Sequence, residues 1–178
     1  DPIYDPLWAV CQELEMPITH HGGGSGLPDY GKHPWSTPMY VMEVGFFANR
    51  ALWHFVLSGV FDRFPNLQLI LTEQGTGWLT ETVARMDGLH DQMVRGRIGE
   101  IGGATGATPL KPSEYFRNNV WIGASFPAPA DVQAWDALGI EKFMWGSDYP
   151  HHEASSPFSK EHLRKTFAGW SPEKLRMV

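Results

Sequence analysis

A repeated alternation of short apolar runs and longer amphipathic stretches limits the possible folds of this chain more than any other feature. Each apolar run ends in a polar or glycine-rich turn, and helical spacing of apolar residues follows. Alternation of this kind is typical of parallel βα units. The runs predict strands at Ile18–His21, Leu67–Leu71, Val120–Ala124 and Lys142–Gly146. The sequence therefore predicts an α/β protein with about four βα units.

The stretches between these runs predict helices. Their apolar residues recur at the spacing of one helix face. The predicted helices cover Pro6–Glu15, Met39–Phe61, Trp78–Arg97, Ala130–Leu138 and Lys160–Ala168. A further helix is predicted to begin at Ser171-Pro172-Glu173. The stretch 99–109 is rich in Gly, Ala and Thr and predicts a mobile loop. A chain of 178 residues fits one domain, whereas an eight-unit barrel typically needs about 250 residues. We expect residues 1–178 to form a single partial domain.

Charge and composition exclude several classes of partner. The 14 basic and 20 acidic residues give a net charge of −6 without any basic run, so we expect no binding to nucleic acid. No apolar run approaches the roughly 18 residues of a membrane span, and the N-terminal residues do not resemble a signal peptide. The lone Cys11 cannot form an internal disulfide, which fits a reducing compartment. We therefore expect a cytoplasmic protein that acts on a small molecule.

Polar residues cluster where the predicted strands end. In parallel α/β barrels the loops at these carboxyl ends converge on one open face, which carries the active site. The three clusters are His20-His21, Glu73-Gln74, and Asp148 with His151, His152 and Glu153. The sequence therefore places the candidate site at this edge of the sheet.

The first cluster suggests a metal ligand. A neutral imidazole suits zinc and similar ions, and the glycines after His21 leave space for an ion and a substrate. Because side chains alternate along a strand, only one of His20 and His21 can point into the barrel mouth. The alternative is that either histidine only caps the strand or bonds to loop backbone.

The two carboxylates each allow several roles. Asp148 suits a metal ligand or a general base beside the ion, but an Asx turn would equally explain Ser147-Asp148. Glu73 suits a metal ligand, a general acid or base, or a carboxylate that orients a ligating histidine. A helix N-cap or an ion pair with Arg85 is an equally good interpretation of Glu73.

Three further residues are candidates for contact with substrate. His151 and His152 lie on the loop that begins at Pro150, and the alternative is that they are only solvated. Trp78 follows the turn after the second strand, so it could shape a pocket for an apolar or aromatic substrate. Tryptophans within helices, such as Trp135, are more typical of the core.

Several of these segments together resemble the amidohydrolase-related family. The segment Pro17–Gly23 resembles its fifth-strand signature, Gly59–Leu67 its entry to strand six, Gly75–Leu79 its next turn, and Trp145–His151 its eighth-strand motif. The resemblance extends from about Asp5 to Met177. This family includes aminocarboxymuconate-semialdehyde decarboxylase and γ-resorcylate decarboxylase, together with hydrolases of lactones and amides.

The resemblance implies the C-terminal half, strands 5–8, of a metal-dependent (β/α)₈ TIM barrel. It implies one divalent ion, zinc first and manganese as the alternative, with His21 and Asp148 as ligands and Asp148 also as the base. Two departures stand out. No His-x-His, the family's strand-one ligand pair, occurs in this chain, and Glu73 stands where many members have a histidine.

These observations lead to one main hypothesis and two alternatives. The main hypothesis is a metal-dependent hydrolase of a small carboxylated or cyclic substrate, with catalytic residues Asp148 and Glu73. The first alternative is a non-oxidative decarboxylase of the same family. The second is a non-catalytic half-barrel that needs a partner chain, because four βα units leave two open sheet edges. We expect this chain alone to be inactive and to form a homo-oligomer.

Overall fold

Four parallel strands form the centre of the protein. The structure, a computed structural model, describes residues 1–23, 26–97 and 108–178. The strands are β1 (Ile18–His21), β2 (Leu69–Thr72), β3 (Val120–Ser125) and β4 (Phe143–Gly146). Their order in the sheet is β1-β2-β3-β4, and every pair is parallel. Each crossover therefore leads to the adjacent strand, as in a (β/α) barrel, and this confirms the predicted α/β partial barrel.

The helices mostly lie where the apolar spacing predicts them. They are α1 (Asp5–Glu13), α2 (Ser36–Leu57), α3 (Val60–Arg63), α4 (Leu79–Val94), α5 (Pro112–Asn119), α6 (Pro129–Val132), α7 (Trp135–Leu138), α8 (Ser159–Thr166) and α9 (Pro172–Leu175). Within the described ranges, 3₁₀ turns lie at Pro2–Tyr4 and Ile140–Lys142. The predicted loop 99–109 falls mainly outside the described residues.

Three helical predictions need correction. The predicted helix Met39–Phe61 is divided, because Gly59 has φ 69°, a left-handed conformation that ends α2 and begins α3. The predicted helix Ala130–Leu138 is two single-turn helices, α6 and α7. Helix α5 was not predicted. Its start is marked by Pro112 in the first turn and by the Glu114 carboxylate, which accepts a hydrogen bond from the Lys111 N–H at 2.8 Å.

The two faces of the sheet differ in burial. On the helix-covered face, the register aligns Leu71, Ile122 and Phe143, which are at most 2% exposed. The α7 residue Trp135 stacks on Phe143 with ring centroids 4.4 Å apart. The other face, which would line a complete barrel, includes Met144 at 37% exposed. The core therefore lies between the sheet and the helices.

Over residues 1–23, 26–97 and 108–178, no helix is both long enough and apolar enough to cross a bilayer.

Candidate metal and substrate site

An open cleft of about 750 Å³ lies at the carboxyl ends of the strands. Residues that follow β1, β2 and β3 form one side, and the loop after β4 contributes His151 and Glu153. Tyr40, Val41 and Val44 of α2 form the opposite wall. The edge of the sheet that the sequence singles out is therefore the edge that carries a cavity.

His21 is the last residue of β1 and borders this cleft. Its Nδ1 lies 2.5 Å from the carbonyl oxygen of Gly22, and its Nε2 lies 2.5 Å from Oε2 of Glu73. Because a carbonyl oxygen can only accept a hydrogen bond, Nδ1 carries the proton and donates it. Nε2 then faces a second acceptor, which requires a proton or another cation between the nitrogen and the carboxylate.

His20 points to the other face of the strand, as the alternation predicts. The Gln74 side-chain amide lies 2.9 Å from His20 Nδ1 and donates to the His20 carbonyl at 2.9 Å. Burial, with the charge of His21 as a smaller cause, lowers the pKa of His20. His20 is therefore neutral near pH 7, and its contacts with Gln74 hold the exits of β1 and β2 together.

Backbone hydrogen bonds at the ends of β1, β2 and β3 place the Glu73 side chain next to His21. The Gly22 N–H donates to the Thr72 carbonyl at 3.1 Å, and the Glu73 N–H donates to Gly123 at 3.2 Å. Glu73 has φ 54°, a conformation uncommon for a residue with a side chain. A Cβ at Gly22 would lie 2.5 Å from the Glu73 carbonyl oxygen. Only glycine allows this approach, so the contact between His21 and Glu73 is built into the backbone.

Asp148 lies near the edge of the sheet opposite β1, two residues after the end of β4. It also has a positive φ, 61°, as does Phe126 after β3, at 35°. The Asp148 side chain is 15% exposed, and its Oδ2 lies 3.6 Å from Nδ1 of His151. Within the described part of the chain, this buried oxygen has no hydrogen-bond partner. A buried carboxylate oxygen without a donor is unfavourable unless a cation compensates it, so Asp148 fits the role of metal ligand.

The loop after Asp148 contains a second group of possible ligands. Ligand atoms of His151, His152 and Glu153 all lie within 4.8 Å of one another, and the three residues are exposed. Among residues 1–23, 26–97 and 108–178, no other set of three such residues meets this distance. His21, Glu73 and Asp148 therefore do not form a closed ligand set in this structure.

The predicted substrate contacts are placed differently from one another. His151 borders the cleft, whereas His152 is 85% exposed and does not line it. The indole N–H of Trp78 donates to the carbonyls of Gln74 and Gly75, and its ring packs against the core rather than lining the cleft. A substrate role for Trp78 or His152 stays a prediction.

The α2 wall of the cleft was not predicted. Tyr40 and Val41 have no sequence feature that marks them as site residues. The length of α2 was the one sequence feature that could have indicated this wall. A 22-residue helix spans about 33 Å, whereas the four-residue β1 spans only about 13 Å. Such a helix must extend beyond the sheet.

A partial parallel barrel with imidazole and carboxylate groups at its strand ends defines the class of this protein. The chain matches the amidohydrolase family model over residues 1–177 and belongs to that family. It is 25% identical over 162 residues to a gamma-resorcylate decarboxylase of Rhodococcus jostii (strain RHA1) and 26% identical over 162 residues to one of Rhizobium sp. (strain MTP-10005). Each match covers 84% of this chain and 44% of the relative.

Solved structures show the same relationship. An amidohydrolase from Mycobacterium avium subsp. paratuberculosis K-10 matches with a TM-score of 0.76 and 26% identity, covering all of this chain and 44% of its own. The 5-carboxyvanillate decarboxylase of Sphingomonas paucimobilis matches with a TM-score of 0.72 and 26% identity, covering 100% and 51%. A 5-carboxyvanillate decarboxylase of Novosphingobium aromaticivorans, with bound manganese, shares the fold at 20% identity and a TM-score of 0.75, covering 98% and 49%. The chain thus spans about half the length of the proteins that it resembles.

Proposed function

We propose that this protein is a metal-dependent, non-oxidative decarboxylase of small aromatic carboxylic acids. Relatives at 25–26% identity include gamma-resorcylate decarboxylases and a 5-carboxyvanillate decarboxylase. They favour the decarboxylase alternative over hydrolysis, which was the main hypothesis from the sequence. The observation in this chain that carries the proposal is the shared cleft, which has the His21–Glu73 pair on one side and the loop that follows Asp148 on the other.

We propose His21 and Asp148 as ligands of one divalent ion. The unpartnered Oδ2 of Asp148 and the Nε2 of His21, which faces an acceptor, both fit a cation. Such an ion would polarise the oxygen atoms of a bound carboxylate or phenolate. Manganese is a better candidate than the zinc expected from the sequence, because a related structure contains manganese.

The residues of the chain would supply orientation and a proton. Release of CO₂ from an aromatic carbon requires that carbon to gain one proton in its place. We propose that Asp148 relays this proton to the carbon from a water molecule, and that His151, 3.6 Å away, orients its carboxylate. Tyr40 and Val41 provide an apolar wall against which an aromatic ring can pack.

The experiment uses protein expressed from its complete coding sequence. It is incubated with 2,6-dihydroxybenzoate and 5-carboxyvanillate, and CO₂ release is measured beside hydrolysis of a lactone panel. We expect CO₂ release that is lost on chelation and restored by Mn²⁺. Asp148→Asn should lower kcat at least 100-fold, whereas Asp136→Asn, at an exposed ion pair with Lys174, should not change it. Full activity without metal, or hydrolysis without decarboxylation, would overturn the proposal.

The remaining expectations stay predictions. We propose that residues 1–178 form one partial domain, and that the open edges of β1 and β4 favour assembly with another chain. A homo-oligomer, the inactivity of this chain alone and a cytoplasmic location are separate predictions. The mass in solution, measured by light scattering, tests the first of them.

A further inference from the structure

We infer that Glu73 is itself a metal ligand beside His21, and that its carboxylate shifts the relative metal affinity of the site from Zn²⁺ towards Mn²⁺. This inference rests on the divalent ion of the proposed function. It assigns one role to a residue for which the sequence left several open.

Both ring nitrogens of His21 face oxygen atoms. Nδ1 is committed to the Gly22 carbonyl as a donor, so in a neutral ring Nε2 carries only a lone pair. That lone pair faces Oε2 of Glu73 at 2.5 Å. Two acceptor atoms at this distance repel each other unless a positive centre, a proton or a metal ion, lies between them. Because both atoms are directed at one point beside the cleft, they would offer a divalent ion one nitrogen and one oxygen ligand.

The side chain of Glu73 has room to move. A metal bound to imidazole nitrogen and carboxylate oxygen at about 2.1 Å from each holds these atoms about 3 Å apart. The carboxylate must therefore retreat by about 0.5 Å from its present position. The side chain of Glu73 is 29% exposed, and its torsions permit this movement, whereas the backbone of Gly22 and Glu73 stays fixed by its contacts.

Among the described residues, Glu73 pairs with His21 and not with the other partners that the sequence allowed. Within the described ranges, the salt bridge of Glu73 is the one to His21, with none to Arg85. Trp78, at the N-terminus of α4, has no capping bond from a side chain. Neither the N-cap nor the ion pair that the sequence allowed is formed. The carboxylate is directed at the ligand atom of His21 alone.

The choice of metal follows from the donor atoms. Carboxylate and water oxygens suit Mn²⁺ and Mg²⁺, whereas additional imidazoles suit Zn²⁺. His21 and Glu73 would present one nitrogen and one carboxylate to the ion. A histidine at position 73 would reverse that balance.

The test measures metal on the protein and does not depend on catalysis. Metal-free protein from the complete coding sequence is titrated with Mn²⁺ by electron paramagnetic resonance and with Zn²⁺ by calorimetry. Glu73→Gln removes the charge at nearly constant shape and should weaken Mn²⁺ binding by about tenfold or more. Glu73→His should raise the ratio of Zn²⁺ to Mn²⁺ affinity. Asp136→Asn, which removes an exposed carboxylate that pairs with Lys174 away from the cleft, is the matched control and should change neither.

The outcomes separate this inference from the proposed function. Unchanged or tighter Mn²⁺ binding by Glu73→Gln would show that Glu73 competes for His21 and is not a ligand. Wild-type protein that binds neither metal would also overturn the inference. Loss of Mn²⁺ in Glu73→Gln without any decarboxylation by the wild type would uphold the ligand and reject only the reaction. Circular dichroism of each variant verifies its fold, and Glu73→Asp, which keeps a carboxylate, should retain the wild-type ratio of Zn²⁺ to Mn²⁺ affinity.

Discussion

The two faces of the sheet differ in burial and in function, and two adjacent residues of β4 show the difference in burial. Phe143 is fully buried under Trp135, whereas its neighbour Met144 points to the open face and is 37% exposed. The helix-covered face consists of close-packed apolar side chains. The other face leads at its carboxyl edge to histidines and carboxylates around a cleft. Stability and chemistry are therefore assigned to opposite sides of the same four strands.

The largest expected effect is on the covered face. Phe143→Ala should lower the free energy of unfolding by about 3–5 kcal/mol, because it leaves a cavity under a stacked tryptophan. Met144→Ala should cost less than about 1 kcal/mol. Urea denaturation of the two variants measures the difference. Similar losses for both would mean that the open face is also packed, against another chain.

A smaller loss of stability is expected at the carboxyl ends of β1 and β2. Gly22→Ala places a Cβ 2.5 Å from the Glu73 carbonyl oxygen, so β1 and β2 must separate there at a cost of about 1–3 kcal/mol. It should also weaken Mn²⁺ binding, since His21 and Glu73 no longer meet. Gly45→Ala is the matched control, because a Cβ there meets nothing within 4 Å and it lies within α2. Normal metal affinity in Gly22→Ala would contradict the role given to this backbone contact.

The smallest effect concerns an ionisable group on the covered side. Burial, together with its hydrogen bond to Asp62, raises the pKa of Tyr115 to about 12. Above pH 10 the unfolded chain loses this proton first and binds fewer protons than the folded chain, so stability falls as the pH rises towards 12. The slope should reach up to about 1 kcal/mol per pH unit. Tyr115→Phe should show a shallower decline between pH 9 and 11, and equal slopes would refute this assignment.

Local sequence patterns were sufficient for most of the fold. The range of β1 was predicted to the residue because Pro17 precedes it and glycines follow it. The range of β4, a short apolar run, was predicted to within one residue. Alternation along β1 also implied that only one of His20 and His21 could face the cleft. Helix α5 escaped prediction because its polar composition lacks an obvious apolar stripe, although Pro112 and Glu114 mark its start.

The site was only partly predictable. The sequence could place Glu73 at the end of a strand, but its contact with His21 depends on the register of β1 against β2 and on a left-handed residue after β2. Neither is encoded in a local pattern. The contribution of α2 to the cleft depends likewise on how far a helix projects past a sheet. Contacts between distant segments were therefore the part that the sequence could not supply.

The left-handed residues after β2, β3 and β4 have a consequence for how this protein would respond to selection. Glu73, Phe126 and Asp148 each hold a conformation that glycine adopts more easily. A mutant library sorted only for thermal resistance should accumulate glycine at all three positions. The same library sorted for retention of Mn²⁺ should keep acids at 73 and 148 and tolerate glycine at 126. Disagreement between the two sorted populations would map the functional positions without knowledge of any substrate.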